Sequence, residues 1–374
     1  MLTTTVVSFN LAQRKAPLLS ALAQASAAAP FDVLAVAVQE LAPFAEQMRR
    51  SHATRLSPAM RCVVAAFDSE LAGAATCVAA LEHGAVGLAV WVRPSARPTQ
   101  TPIYAKAALG PLALSSKAAV AVALRFGPSS TVAFVSAHLP AGVGPAADFA
   151  RNRAFRAAAT RLHFAGRSLF DCHSVFFAGD LNYRAGPSAS FADDGLRRAM
   201  RCNAAFPAFT EPAVAFRPTY KLLASGTYDP RRSPAWCDRI LTYTRHNAAA
   251  PRIAAWSEAR PAPDDSSSPA PASITCLRYW PLPVAGSDHL PVYARFRLDL
   301  PRLSNHDHAP DPDIPVIADP LRSYYLALGF VADRSAGAVH YVLTDPAALL
   351  LLLAVLSATA ICLAQASYSM TYLA

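Results

Sequence analysis

The stretch FRPTYKLLASGTYDPRRSPAWCDRIL, residues Phe216–Leu241, is the most informative part of this 374-residue chain. It combines turn-forming and aromatic residues with one lysine, four arginines and two aspartates, and it ends in an apolar run typical of a β-strand. This composition is typical of loops that hold cations toward a multiply charged anion. The stretch therefore predicts a polyanion-binding loop followed by a strand.

Short apolar, β-branched runs surround this stretch and are separated by turn signals. Eight runs are predicted as strands: Thr4–Phe9, Val33–Val38, Gly87–Val92, Ala119–Arg125, Thr131–Ala137, Ser174–Ala178, Arg239–Tyr243 and Val292–Leu298. Four segments are predicted as helices: Ala16–Ala28, Glu40–Ser51, Ala146–Ala165 and Phe191–Ala199. Because strands outnumber helices and alternate irregularly with them, we expect two packed β-sheets flanked by helices, an α/β sandwich.

The composition indicates anionic partners. The chain is 53% hydrophobic and 16% charged, with a net charge of +9 and a mean hydropathy of +0.24. This balance favours nucleic acid, phosphorylated small molecules or acidic lipid surfaces, and charge alone does not choose among them. The seven cysteines are scattered without a CxxC pair, which argues against a disulfide framework or a zinc site and fits a reducing cytosol.

Composition also predicts the domain organisation. Residues 1–300 are expected to form the globular domain, with Pro261–Ser273 as a loop insertion rather than a boundary. The N-terminus lacks a basic region before its apolar run and is predicted to be a strand rather than a signal peptide. Residues 301–345 are predicted to be a linker and juxtamembrane segment.

Residues 346–374 contain no charged residue. Within them, Ala347–Ala366 supplies about 20 predominantly apolar residues, enough to cross a bilayer as one helix. A buried core helix and a GPI-attachment tail are the alternatives. Because Arg322 and Arg334 precede the segment and no basic residue follows it, we expect a transmembrane anchor with the large domain facing the cytoplasm.

Polar residues follow several predicted strands. Glu40 comes directly after a buried run, and Asn10 ends the first strand; both suit a Mg²⁺ site, although helix capping is the common role for either residue alone. In GDLN, Gly179 is predicted to form a tight turn that exposes Asp180 and Asn182, a carboxylate and an amide suited to activating and orienting water. An Asx turn is the structural alternative.

The SDH motif places Asp288 directly before His289, ahead of a strand. Adjacent side chains on an extended backbone diverge, so Asp288 is equally able to pair with His138 at the end of another strand. Aspartate–histidine pairing fixes the imidazole tautomer and raises its basicity. Either histidine is then suited to stabilising negative charge or protonating a leaving group.

Seven of the polar residues resemble, in order and spacing, the active-site set of the endonuclease/exonuclease/phosphatase superfamily. They are Asn10, Glu40, His138, Asp180, Asn182, Asp288 and His289. The segments FFAGDLNYR (Phe176–Arg184) and PAWCDRIL (Pro234–Leu241) are similar to the two signature motifs of inositol polyphosphate 5-phosphatases, and FRPTYK and SDHLPV agree with that family. The resemblance covers about residues 4–298. It implies a four-layer α/β sandwich and Mg²⁺-dependent hydrolysis of the inositol 5-phosphate.

The resemblance also implies a role for each site residue. The implied catalytic residues are Asp180 as the base, Asn182 as its partner, His138 and His289 at the phosphoryl group, and Asp288 holding a histidine. Glu40 and Asn10 are the implied metal-site residues. The implied substrate-binding residues are Tyr220, Lys221, Arg231, Arg232, Arg184 and Arg239. Of these, Tyr220, Lys221 and one arginine of the Arg231/Arg232 pair are implied at the neighbouring 4-phosphate. Asp238 and Arg239 are expected mainly to brace the site.

The implied substrates are PI(4,5)P₂, with PI(3,4,5)P₃ left open, and soluble inositol polyphosphates. Ser116–Ala119 stands where the family has Asn-Lys-Gly-Gly, and Arg151–Phe155 departs from another family motif; both changes leave the substrate preference open. A phosphodiesterase or nuclease of the same superfamily and a non-catalytic phosphoinositide-binding membrane protein are the alternatives. No basic stripe interleaved with aromatic residues is found, so nucleic acid is not an expected partner.

Overall fold

The computed structural model describes residues 1–13, 17–43, 46, 55–110, 114–127, 130–186, 190–245, 273–300, 331 and 333–335. The predicted anchor at residues 346–374, and most of the predicted linker, lie outside these ranges and stay predictions. Within the described ranges, no helix has both the length and the apolar character needed to cross a membrane.

The first sheet has six strands. They are β1 Leu2–Asn10, β2 Val33–Gln39, β3 Thr76–His83, β4 Val86–Val92, β12 Ser273–Pro281 and β13 Val292–Asp299. Their order is β12-β13-β1-β2-β4-β3. The central strand β1 is parallel to β2 and antiparallel to β13, so the start and the end of the domain meet in the middle of this sheet.

The second sheet has five strands. They are β5 Ile103–Ala108, β6 Ala118–Phe126, β7 Ser130–His138, β10 Ser174–Asp180 and β11 Asp238–Thr244, in the order β11-β10-β7-β6-β5. A separate short hairpin is formed by β8 (His163–Phe164) and β9 (Arg167–Ser168). Here β7 and β10 are parallel, and β11 runs antiparallel to β10.

The two sheets pack face to face and carry helices on their outer faces. The helices are α1 Pro17–Ala27, α2 Pro58–Leu71, α3 Pro145–Arg161 and α4 Gly195–Arg201. Alternating side chains explain this layering: Val6 belongs to the core between the sheets, whereas Val7 packs with residues of α1 and α2. Both faces of the inner strands are buried, which accounts for their nearly continuous apolar runs.

The predicted α/β sandwich is confirmed, and all eight predicted strands are present with small changes at their ends. The helices predicted over Ala16–Ala28 and Ala146–Ala165 correspond to α1 and α3, and that over Phe191–Ala199 to a 3₁₀ turn followed by α4. The helix predicted from Glu40 is not helical over residues 40–43, and most of its remainder lies outside the described residues. The strands β3, β5, β8, β9 and β12 and the helix α2 were not predicted.

The predicted turn at Gly179 is wrong. Gly179 lies within β10, with φ +155°, and a Cβ added there would come 1.9 Å from the carbonyl oxygen of Ala137 on β7. Glycine is therefore required for close approach of two neighbouring strands rather than for a turn. This contact fixes the ends of β7 and β10 side by side.

Candidate active site

The polar side chains converge because the ends of several strands meet at one edge of the sandwich. His138, the last residue of β7, lies opposite Asp180, the last residue of β10. On the other side of Asp180 lies Asp238, the first residue of the antiparallel strand β11. In the first sheet Asn10 ends β1 and Glu40 directly follows β2. The carboxyl ends of parallel strands are a common location for ligand sites.

Asp180 is the centre of the cluster. Its Oδ2 accepts a hydrogen bond from Asn10 Nδ2 at 2.9 Å and lies 3.4 Å from His138 Nε2 and 3.8 Å from His289 Nε2. Its Oδ1 accepts the backbone N–H of Asn182 at 3.0 Å. The side chain is almost completely buried, so these partners replace the water that a carboxylate needs.

His289 is held by Asp238 rather than by Asp288. Its Nδ1 is 2.8 Å from Asp238 Oδ2, which also accepts the Thr219 hydroxyl at 2.6 Å. The predicted Asp288–histidine pairing is wrong, because the Asp288 carboxylate forms an ion pair with Lys221 at 3.2 Å while Asp238 takes the histidine. The Asp238–His289 contact presents the Nε2 atom toward Asp180.

Lys117 is a member of the site that sequence reasoning did not assign. It directly precedes β6, whose first residue Ala118 lies opposite His138. Its Nζ donates to His138 Nε2 at 2.5 Å. The available signal was the Ser116–Ala119 segment, which was interpreted only as a departure from a family motif.

The electrostatics of the site separate the two histidines. Burial opposes protonation of His289, but the Asp238 and Asp180 carboxylates outweigh it and raise the pKa of His289 to about 9. Burial and the Lys117 ammonium lower the pKa of His138 to about 3. Burial raises the pKa of Asp180, but the two histidines and Lys117 outweigh it and lower that pKa overall. Near neutral pH the site therefore holds a carboxylate, a cationic His289 and a neutral His138.

Asn182 connects the carboxylate to the cationic loop. Its Nδ2 donates to the Leu139 carbonyl at 3.0 Å, and its Oδ1 accepts from Arg184 Nη2 at 2.7 Å. The Arg184 guanidinium stacks on the Tyr220 ring, 4.2 Å from its centroid. The same ring lies 4.7 Å from the ring of His289. Arg184 and Tyr220 are thus placed directly beside the cluster.

Two oxygen-rich arrangements could hold a metal ion. In the first, Asp180, Asp238 and His289 offer ligand atoms that lie within 4.8 Å of one another. The atoms that join Asp238 to His289 are already hydrogen-bonded to each other, although Asp238 Oδ1 is buried without a hydrogen-bond partner among the described residues. The second is the carboxylate of Glu40, beside Asp180, which suits a hard cation that retains water.

Asn10 bridges the two carboxylates by donating to them. Its Nδ2 contacts both Glu40, at 3.2 Å, and Asp180, while its Oδ1 accepts the backbone N–H of Ala12 at 2.9 Å. In this orientation the Asn10 amide positions both carboxylates, and the assignment of Asn10 to the metal site stays a prediction. Glu40 and Asn182 both have left-handed backbones, with φ +53° and +58°. Such backbone strain is common at functional sites.

The predicted substrate-binding cations separate into two groups. Lys221 is half-buried at the rim, and the Arg231 side chain is exposed with its guanidinium paired to Asp229 at 3.0 Å. Arg232 is also exposed. Arg239 differs, because it is fully buried between Asp194 and Glu211 and contacts Trp236. Its predicted substrate contact is therefore wrong, and its bracing role agrees with this geometry.

The comparisons with known proteins identify the family. The family model of Endonuclease/Exonuclease/phosphatase family 2 matches residues 7–295, and the chain belongs to this family. The predicted resemblance to the inositol polyphosphate 5-phosphatases is confirmed by the curated relatives to which the chain is similar. Family members are metal-dependent, in agreement with the Asp180, Asp238 and His289 cluster.

Two relatives illustrate the similarity. Polyphosphatidylinositol phosphatase INP53 of Saccharomyces cerevisiae is 28% identical over 204 residues, which cover 49% of this chain and 16% of that protein. Synaptojanin-1 of Homo sapiens is 32% identical over 218 residues, which cover 50% of this chain and 13% of that protein. The matched part is thus a small fraction of each relative.

One solved structure extends the similarity to the whole fold. It is the inositol polyphosphate 5-phosphatase domain of SPsynaptojanin, in complex with inositol (1,4)-bisphosphate and calcium ion. The TM-score is 0.62 with 21% sequence identity, and the match covers 92% of this chain and 93% of that one. At this identity the similarity shows the fold alone.

Proposed function

We propose that this protein is a Mg²⁺-dependent phosphatase that removes the 5-phosphate from phosphoinositides, soluble inositol polyphosphates, or both. The observation that carries the proposal is the Asp180 cluster, in which a buried carboxylate contacts Asn10 and faces His289 held by Asp238. A row of loop cations borders this cluster. That combination suits hydrolysis of one phosphate while another is bound nearby.

The residues divide the chemistry as follows. When bound at Glu40, Mg²⁺ would neutralise phosphate oxygens. Asp180, kept anionic, accepts a proton from the attacking water, and Asn10 holds this carboxylate in position. His289, kept protonated by Asp238, faces the developing negative charge through Nε2. Lys117 adds a second positive charge beside His138.

The cationic loop is proposed to select the substrate. Arg184 and Lys221 both lie against the Tyr220 ring beside His289, with the Arg184 guanidinium 4.2 Å and the Lys221 ammonium 5.8 Å from the ring centroid. A phosphate bound by fixed cations turns binding energy into orientation of the neighbouring reacting group. Arg231 and Arg232 extend the same positive surface into solvent.

Replacing Lys221 with methionine tests this selection. A hydrogen bond to a charged group contributes about 1.5–3 kcal/mol, so kcat/KM for PI(4,5)P₂ should fall about 10-fold or more. PI5P, which lacks the 4-phosphate, is the matched control substrate and should be turned over as by the wild-type protein. Equal losses on both substrates would contradict a role for Lys221 at the second phosphate.

We further propose that the reaction occurs at a cytoplasmic membrane surface. The uncharged segment at residues 346–374 and the net charge of +9 support this part of the proposal. The two alternative functions predict different results in the same assays. A non-catalytic phosphoinositide-binding protein would bind vesicles without releasing phosphate, and a nuclease or phosphodiesterase would cleave phosphodiesters.

The activity itself is tested by phosphate release from PI(4,5)P₂ vesicles and from soluble Ins(1,4,5)P₃. We expect release in the presence of Mg²⁺, loss of release with EDTA, and recovery when Mg²⁺ is added in excess. Release that persists after complete chelation would contradict metal dependence. Absence of release from both substrates, with intact binding to the vesicles, would favour the non-catalytic alternative.

A further inference from the structure

The segment predicted as a linker contributes a buried residue to the catalytic domain. Asp333 lies more than 30 residues beyond the end of β13, among helical residues, and its side chain is completely buried. Its Oδ1 accepts the backbone N–H of Ser115 at 2.9 Å. Because burying a carboxylate is costly unless partners compensate, the Ser115 N–H is an important partner of Asp333 at this position.

Ser115 is confined from its other side as well. Gly84, in the turn between β3 and β4, has φ +60°, and a Cβ added there would come 2.1 Å from the Ser115 carbonyl oxygen. The Ser115 carbonyl therefore packs against Gly84, and the Ser115 N–H donates to Asp333. The Ser115 position is fixed by one contact from within the domain and one from the segment beyond it.

Ser115 lies two residues before Lys117. Only Ser116 separates Ser115 from Lys117, whose carbonyl accepts the Leu109 N–H at 2.6 Å and whose Nζ reaches His138. A displacement of Ser115 is transmitted directly to this short connection. The ammonium position beside His138 and Asp180 therefore depends on the loop that Asp333 holds.

We propose that Asp333 is a positioning residue that holds the Ser115–Lys117 loop and thereby places the Lys117 ammonium in the active site. The catalytic part of this inference rests on the proposed phosphatase function. Asp333 touches no reacting group, and its effect passes through Lys117. On this proposal, Asp333 contributes to the active site although it lies in the segment predicted as a linker.

The contact is tested first without reference to activity, by hydrogen–deuterium exchange on the full chain. Asp333→Ala should accelerate exchange of the Ser115 amide by at least ~10-fold, because the amide loses its acceptor. Asp333→Asn keeps an oxygen at the same position and should preserve protection. Unchanged Ser115 exchange in Asp333→Ala would overturn the proposal, whether or not the protein proves to be a phosphatase.

The coupling to Lys117 is tested by a double-mutant cycle on phosphate release. We expect Asp333→Ala to lower kcat about 10-fold with KM changed less than about 2-fold, and Asp333→Asn to restore most of kcat. In a Lys117→Met background, Asp333→Ala should cause almost no further loss, because the side chain that it positions is gone. Fully additive losses would overturn the assignment and leave Asp333 with a general stabilising role.

Discussion

Replacing Asp180 with asparagine is expected to lower phosphate release by at least ~10²-fold, the usual scale for loss of a general base. The amide has nearly the same shape as the carboxylate, but it cannot accept a proton from water and places an N–H₂ group near donors. Asn10 and the cationic His289 each lose one of their two carboxylate partners at the same time. The loss should fall on kcat, measured with PI(4,5)P₂ vesicles and with Ins(1,4,5)P₃.

Asp299→Asn provides the matched control. Asp299 is the last residue of β13, lies partly exposed and accepts a hydrogen bond from the Ser273 hydroxyl. Exposed contacts of this kind contribute little to stability, so activity should stay within about 2-fold of the wild-type value. Circular dichroism should show both variants folded. A folded Asp180→Asn protein with a nearly normal rate would contradict the assignment of the base.

Replacing Arg239 with alanine is expected to destabilise the fold by about 3–5 kcal/mol, the range for removing one partner of a buried ion pair. The Arg239 guanidinium is fully buried and contacts carboxylates of both Asp194 and Glu211. Its removal leaves those two carboxylates buried without their cation. Urea denaturation would show this as a lower midpoint with a nearly unchanged slope.

Arg231→Ala is the control from the same stretch of sequence. The Arg231 side chain is exposed, although the Asp229 carboxylate that it contacts is buried, so the denaturation midpoint should fall much less than in Arg239→Ala. Comparing the two variants distinguishes an arginine that stabilises the fold from one that is proposed to bind substrate. An Arg239→Ala protein of normal stability but raised KM would restore the sequence-based assignment of Arg239 to the substrate.

The sequence was sufficient to predict the layers of the fold and the centre of the site. Strands buried on both faces give continuous apolar runs, and the polar residues that follow them mark a common edge. Asn10, Glu40, His138, Asp180 and His289 were all found in this way, and the structure brings them together. Asn10, His138 and Asp180 are the last residues of β1, β7 and β10, and Glu40 directly follows β2. The topology places these strand ends next to one another.

What the sequence could not provide was the pairing of side chains across the sheets. Asp288 is adjacent to His289 in sequence, yet Asp238 is its partner because β11 begins opposite Asp180. Lys117 reaches His138 only through the register of β6 and β7. Strands such as β5, which is rich in alanine, carry little intrinsic signal and form because their neighbours offer a sheet edge.

The pairing of β1 with β13 sets a condition on when the enzyme can first work. Ser8 lies opposite Val292 and the Ser287 hydroxyl donates to the Asn10 carbonyl, so the two ends of the chain that build the centre meet only after nearly the whole domain has been synthesised. Contacts of such long sequence separation form late and slowly. A nascent chain still leaving the ribosome therefore has an incomplete centre until synthesis has passed His289.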